Sequence, residues 1–458
     1  MEIRCPIWKE QYYTDEPISL KFEAENGEDA EALARLDVLL FGEKPPAFTV
    51  EIPGHEDQVS SSARSEEARV SGVPMGTIAS SKTVAVCLRL PPTDRSSRFD
   101  LTLKVTYFLP TNPGTPISQT AVFQLNIVSP FEANYGLLPR VHPDPWPSLF
   151  DPEGVPLPDT GSGDDHVLIP PKGISQAWCL VTRYASFASE PLRVTDIDIA
   201  IQQAAATIRC SSTKRAGLLP ASGTGLLVHP KTIEEATFDL VAQKATVDDR
   251  SPAPLDVSLI IKWTRPDADD SSTAVNTTTL PIPRFTLFGT EPRVLASVSH
   301  HRGSHNMTMM MMITLTVTIE NASSHFLTFG LSMEPSEQFA FSGPKQTSLN
   351  LLPVSRRSVT YRLLPLAVTN HVQKEGGGEK GQKGVEGVEA TDEEEEEEEE
   401  EGGMWIRPAL VVRDKYFQKV LRVIPASEGL RAGKDGVEVW VPRLGPGLAG
   451  SGRGESEG

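Results

Sequence analysis

At 458 residues the chain has room for about three domains of roughly 100–200 residues, each able to bury its own core. Its 43 basic and 61 acidic residues leave a formal net charge of −18, which argues against nucleic acid as a direct partner because a phosphate backbone needs a basic face. Most of that charge is local. The stretch from Lys374 to Gly403 holds fourteen acidic residues, including the run Glu393 to Glu401, against three lysines. With 38 prolines and 35 glycines, long helices are not expected.

In chain order, period-2 alternation recurs from the N-terminus onward and predicts half-buried strands. Ile18, Leu20, Phe22 and Ala24 alternate with Ser19, Lys21 and Glu23, and Phe99 to Tyr107 follows the same rule. So do Val257 to Trp263 and Ile313 to Ile319. Lined up, these strands form a weak repeat of three copies. The first copy opens with Ile18–Asn26 and Leu36–Phe41, the second with Ala177–Tyr184 and Leu192–Ile201, the third with Ile313–Asn321 and Leu327–Leu331. Each copy then shows an apolar residue, a short polar turn and another strand: Ile78 before Val84–Leu90, Leu227 before Ala236–Leu240, Leu352 before Val359–Leu363.

The predicted fold is therefore all-β: three tandem immunoglobulin-like β-sandwich domains with a disordered acidic insertion. The expected divisions are sandwich 1 at 1–130, a Pro-rich linker at 131–171, sandwich 2 at 172–285 and sandwich 3 at 286–428. The insertion at 371–403 has no aromatic residue to offset its chain entropy, and the Gly-rich tail at 443–458 is expected to be disordered as well.

The sequence carries no catalytic or metal signature. Gly223-Thr224-Gly225 lacks the third glycine and the helix of a dinucleotide loop, and Asp196 and Asp198 share a strand face with no pocket to part their pKa values. His300, His301 and His305 ahead of Met307 and Met309 to Met312 suit copper by ligand type. On a strand, however, successive methionines point to opposite faces, so half of them cannot reach one ion. No cofactor is expected. Four cysteines without a C-x-x-C pair are read as free thiols. The sequons at Asn276, Asn306 and Asn321 are read as chance matches, since Met1 to Pro6 has no apolar leader. The longest apolar stretch, Met307 to Ile319, is too short and threonine-rich to span a bilayer. With Met1 as the start, a cytoplasmic chain with no transmembrane segment is expected.

The strongest binding signal is Val141-His142-Pro143-Asp144-Pro145-Trp146-Pro147, because an aromatic held between prolines is a low-entropy anchor. Phe131, His142, Pro143, Trp146, Pro147 and Phe150 are the candidate partner-binding residues. The competing reading is that Trp146 and Phe150 simply pack the linker onto a sandwich.

The stretch Glu334-Pro335-Ser336-Glu337-Gln338-Phe339-Ala340-Phe341-Ser342-Gly343-Pro344-Lys345-Gln346, followed by Leu349 to Pro353 and Tyr361, resembles the C-terminal, gryzun region of TRAPP complex subunit 11. Looser similarity runs through Val105 to Tyr107, Pro130 to Glu132, Ile261 to Arg265, Leu280-Pro281 and Leu421 to Pro425. The motif, with Glu334, Pro335, Phe339, Phe341, Ser342, Gly343, Lys345 and Gln346 at its centre, reads as strand, Ser342-Gly343 turn and strand, and carries no catalytic group. The resemblance implies a non-enzymatic assembly scaffold in a vesicle-tethering complex between endoplasmic reticulum and Golgi. Its partners would be other TRAPP complex subunits and, indirectly, a Rab-family GTPase. Its place would be the cytoplasm, peripheral to Golgi and ER-Golgi intermediate membranes. Family members carry a helical foie-gras region ahead of the sandwiches, whereas this sequence opens inside the β part, as the C-terminal half of a longer subunit or as a separate fragment. The alternative function is a cytosolic adaptor that binds short cargo peptides by strand addition.

Overall fold

The computed structural model describes residues 1–53, 58–64, 66–144, 146, 173–202, 208–215, 225–246, 248–266, 275–289, 291–305, 308–366, 403–434 and 436–442. All of its regular structure is β-strand. The acidic insertion up to residue 402, the tail at 443–458 and most of the Pro-rich linker lie outside the described residues.

The repeat read from the sequence is a repeat of topology. In the first copy one sheet runs Glu2–Arg4, Ile18–Glu25, Thr83–Leu90, Thr49–Glu51, and the other Asn112–Val128, Ser97–Leu109, Ala32–Phe41, Glu67–Ile78. The second copy has Phe131–Arg140, Ser175–Ser186, Ile233–Lys244, Ile208–Lys214 on one side and Asn276–Pro281, Ala253–Thr264, Leu192–Gln202, Leu226–Val228 on the other. The third repeats the order with Arg293–His305, Thr308–Asn321, Ser355–Pro365, Phe339–Ser342 and Val420–Leu421, Ala409–Asp414, Leu327–Glu334, Gln346–Leu351. Two layers built around the same four antiparallel strands in the same chain path, three times over, are immunoglobulin-like sandwiches.

Alternation supplies each core. Along Ile18–Glu25 the apolar positions are buried and the polar ones exposed, and they pack against Leu36, Val38, Leu101 and Leu103 of the opposite sheet. The second core centres on Phe238, Leu259, Ile261 and Trp263, the third on Leu315, Val317, Phe329 and Tyr361.

The recurring apolar residue and turn have a defined job. The Asn26 amide donates to the carbonyls of Ala30 and Ile78, both at 2.9 Å, while its Oδ1 accepts from the Glu28 amide at 3.1 Å. Asn321 does the same in the third copy, to His325 O at 2.8 Å and Leu352 O at 3.0 Å, and accepts from the Ser323 amide. Each Asn thereby satisfies buried main-chain groups where one strand ends. The engaged Asn321 side chain is buried, as a folded glycosylation acceptor cannot be. In the second copy Ser186 stands at that place, with its carbonyl accepting from the Lys231 amide at 2.8 Å. The turn that follows carries a residue in the left-handed region in all three copies: Ser81 (φ 55°), Lys231 (φ 62°) and Val354 (φ 52°).

Two segments differ from the sequence reading. Phe131–Arg140, placed in the Pro-rich linker, is a strand paired along its length with Ser175–Ser186. Its Pro139 lies on a strand at the sheet edge, the place in a sheet where proline is tolerated. Beyond residue 428 the chain continues in strands Leu430–Gly433 and Gly436–Pro442, which pair with each other and, through the second, with Gly403–Ile406, and add Val437, Val439 and Val441 to the third core.

Candidate functional site

Polar and aromatic side chains, several of them buried, meet at the two joints between sandwiches. At the first joint Ser129-Pro130 leads from Asn112–Val128 straight into Phe131–Arg140, with no spacer. Tyr12-Tyr13 pairs parallel with Ile127-Val128, which turns the Tyr13 ring into the second core. There it meets Trp263 edge-on at 5.7 Å between ring centroids, and Phe131 meets the same indole at 6.2 Å and Tyr184 at 6.3 Å. Such edge-to-face pairs add to the area they bury.

Arg265 closes this joint. Its guanidinium lies 4.3 Å above the Tyr13 ring, grips Glu16 of the first sandwich with two bonds of 2.6 and 2.7 Å, and also pairs with Glu190. The Arg265 side chain is 9% exposed and that of Glu16 15%, so this pair is shielded from water and depends on its forked geometry. Beside it, Asp15 sits in the left-handed region (φ 64°). Burial pushes its carboxyl up from the usual range, opposed by hydrogen bonds with Thr278 across the joint and with Thr14.

The second joint is built around the proline-tryptophan segment. Trp146 is buried and donates its indole N–H to Ser175 O at 2.7 Å. From the third sandwich, Arg356 donates to His142 O at 2.7 Å and to Asp144 O. Burial lowers the pKa of the Arg356 guanidinium, with Glu320 and Asp144 acting the other way. Arg293 of the third sandwich stacks 4.6 Å over the Trp178 ring of the second and holds the buried Glu320 carboxylate at 2.8 Å. Val354, in its left-handed turn, packs into the second core, and Arg215 reaches Glu428 at 2.9 Å.

The structure thus places the sequence-predicted binding residues as follows. Phe131 is fully buried at the first joint; His142 and Trp146 are buried at the second; Pro143 is exposed. Pro147 and Phe150 lie outside the described residues. The Trp146 indole packs against the chain's own second sandwich, where Ser175 O satisfies its N–H. Sequence reasoning missed Tyr13, Arg265, Arg293 and Arg356. Nothing local marks a contact between positions 249 apart, such as Arg265 with Glu16.

The gryzun-like motif runs through strands of both sheets of the third sandwich. Phe339–Ser342 pairs with Ser355–Pro365 in one sheet, and Gln346–Leu351 pairs with Leu327–Glu334 in the other, so Gly343 to Lys345 carries the chain between layers. Gly343 has φ 151°, and a Cβ there would lie 2.6 Å from the Tyr361 ring. Only glycine fits. Phe339 is fully buried, Phe341 meets Tyr361 edge-on at 6.1 Å, and Lys345 pairs with Glu334 at 3.3 Å. The His/Met stretch shows the alternation expected of a strand, with Met311 buried in the core and Met312 exposed. The side chains of 302–310 lie outside the description. Among the described residues no three His, Cys, Asp or Glu side chains come together as metal ligands, and no helix is long and apolar enough to cross a membrane.

Residues 300–374 match the family described as "Gryzun-like: TRAPPC11 C-terminal domain". The match joins the third sandwich to a domain of a trafficking-complex subunit, and it contains the whole motif from Glu334 to Gln346. No curated protein matches the chain in sequence. Among solved structures it is similar to the AgI/II polypeptide BspA C-terminal domain (WT) of Streptococcus agalactiae, at 6% identity and a TM-score of 0.21, over 59% of this chain and 95% of that one. It is also similar to a variant of BcpA, the major pilin subunit of Bacillus cereus, at 9% identity and a TM-score of 0.16, over 84% of this chain and 94% of that one.

Proposed function

We propose that the chain is a non-enzymatic subunit of a TRAPP-type vesicle-tethering complex in endoplasmic reticulum to Golgi transport, where it acts as an assembly scaffold. The observation that carries this reading is the match of residues 300–374, which coincides with the strands around the motif. The joints support it physically. Three sandwiches held together by partly buried arginines keep their loops at fixed separations, as a scaffold needs and a solitary binding loop does not. The partners are other TRAPP complex subunits, any effect on a Rab-family GTPase passes through them, and the chain works in the cytoplasm at the periphery of Golgi and ER-Golgi intermediate membranes. Phe131, His142 and Trp146 serve this role from inside, by fixing the joints.

The test is affinity purification of the tagged full chain from cell extract, followed by identification of co-purifying proteins. Recovery of the small TRAPP core subunits supports the scaffold. Recovery of cargo or clathrin-type coat partners without them overturns it and favours an adaptor that binds peptides by strand addition.

A further inference from the structure

The turn between Ala409–Asp414 and Val420–Leu421 of the third sandwich carries two highly exposed aromatic residues, Tyr416 at 82% and Phe417 at 70%. They are not loose. Asp414 is buried and its Oδ1 accepts from the amides of Tyr416 at 2.8 Å and Phe417 at 3.0 Å, while its own amide donates to Lys419 O at 2.9 Å. Gln418 takes the left-handed region (φ 57°) and its side chain donates to Lys415 O at 2.6 Å. The rings meet edge-on at 4.8 Å. A turn held by this many bonds presents its aromatics at little further entropy cost.

More of the same lies at this end of the sheet. The Lys415 amide donates to Thr328 O at 2.9 Å, two residues from Phe326, and Leu327 pairs with Leu351, so exposed Phe326 and Leu352 neighbour the tip. Around the rings stand four exposed cations, Arg413, Lys415, Lys419 and Arg422. On these four strands the acids are Asp414, which is buried and occupied by the turn, and Glu334, opposite Ala409 at the far end and paired with Lys345. Arg413, Lys419 and Arg422 have no carboxylate partner among the described residues. In a chain of net charge −18 this is a local reversal of sign.

We infer that this end of the third sandwich docks on a bilayer surface rich in anionic lipid, with Tyr416 and Phe417 seated at headgroup depth and the four cations against the lipid charge. Aromatic rings belong at that depth, and each Lys or Arg near such a surface adds to the attraction. Exposed aromatic rings framed by four cations match an anionic headgroup layer on both counts, ring depth and charge. The inference stands apart from membership of any complex.

The experiment is flotation of the purified full chain with vesicles of phosphatidylcholine alone or with about a quarter phosphatidylserine. Binding is expected only with phosphatidylserine, and to weaken as salt rises. The Tyr416→Ser, Phe417→Ser double variant should bind at least about tenfold more weakly, and Lys419→Glu with Arg422→Glu likewise. Ile233→Ser, which removes an exposed apolar side chain of the second sandwich, should bind as the parent does. Circular dichroism confirms that each variant is folded. No binding to either vesicle overturns the inference. Full binding by the aromatic double variant also overturns it, as does capture by soluble polyglutamate equal to that by the vesicles, which would assign the cations to an acidic protein. Neither vesicle result bears on co-purification with TRAPP core subunits, so this inference and the proposed function fail separately.

Discussion

The two joints hold neighbouring sandwiches by different chemistry. At the first, side chain meets side chain: Tyr13 and Phe131 meet Trp263 edge-on, and Arg265 forks onto Glu16. At the second, Arg356 grips main-chain carbonyls of the segment after Arg140, and Arg293 lies on Trp178. What each joint has to seat accounts for the difference. Ser129-Pro130 brings the first two sandwiches into contact directly, so opposing side chains can be matched in place. The second joint must also seat an irregular segment whose carbonyls have no strand to pair with, and a guanidinium with several donors is suited to that.

The largest expected effect is at Arg265. Arg265→Ala leaves Glu16 buried without its partner and should cost about 3–5 kcal/mol. Calorimetry should then show the first sandwich melting ahead of the second, where the parent melts them together. A double-mutant cycle with Glu16→Gln would separate the pair's own energy from the cost of stranding one charge. If Arg265→Ala leaves the melting profile unchanged, the first joint does not couple the sandwiches.

Arg356→Ala should cost less, about 2 kcal/mol, because the carbonyls it abandons, His142 O and Asp144 O, can partly recover water. Limited proteolysis should locate the effect, with faster cleavage after Arg140 and unchanged cleavage in the first sandwich. Smaller again is Trp146→Phe, which keeps an aromatic ring but leaves Ser175 O without its donor, for about 1 kcal/mol by denaturant unfolding. A loss equal to that of Arg356→Ala would mean that the indole, not the guanidinium, holds the segment.

How much of this was legible follows from where each signal resides. Alternation is local, so Ile18–Glu25, Ser97–Leu109 and Ala253–Thr264 could be read directly, and aligning them exposed three copies of one topology. Even Ile78 and Leu352 stood out as recurring apolar residues, although their role as acceptors from Asn26 and Asn321 needed coordinates. Phe131–Arg140 was hidden by the prolines that follow it. The joints were illegible because Tyr13 and Trp263 acquire meaning only together. Anchor and packing readings of Trp146 could not be separated, because a sequence shows the prolines beside an indole but not the carbonyl that binds it.

Asp15 offers the finest discrimination between the joints, since the first has a carboxyl whose pKa is raised mainly by burial. A raised folded-state pKa means that the native protein holds this proton more tightly than the unfolded chain. Asp15 therefore favours folding below the unfolded carboxylate value near 3.8, and that advantage is lost as pH rises through the folded pKa. Above it, the ionised and partly buried group is a standing cost. Asp15→Asn removes the titration while keeping a side chain tolerant of the left-handed backbone and able to bond Thr278. Relative to the parent, the variant should melt slightly higher at neutral pH, with the gain shrinking as pH falls toward 3.8. Melting scans over that range read it directly. A gain that does not vary with pH would place the effect in the backbone or the Thr278 bond, and leave the first joint without a titrating element to set it apart from the second.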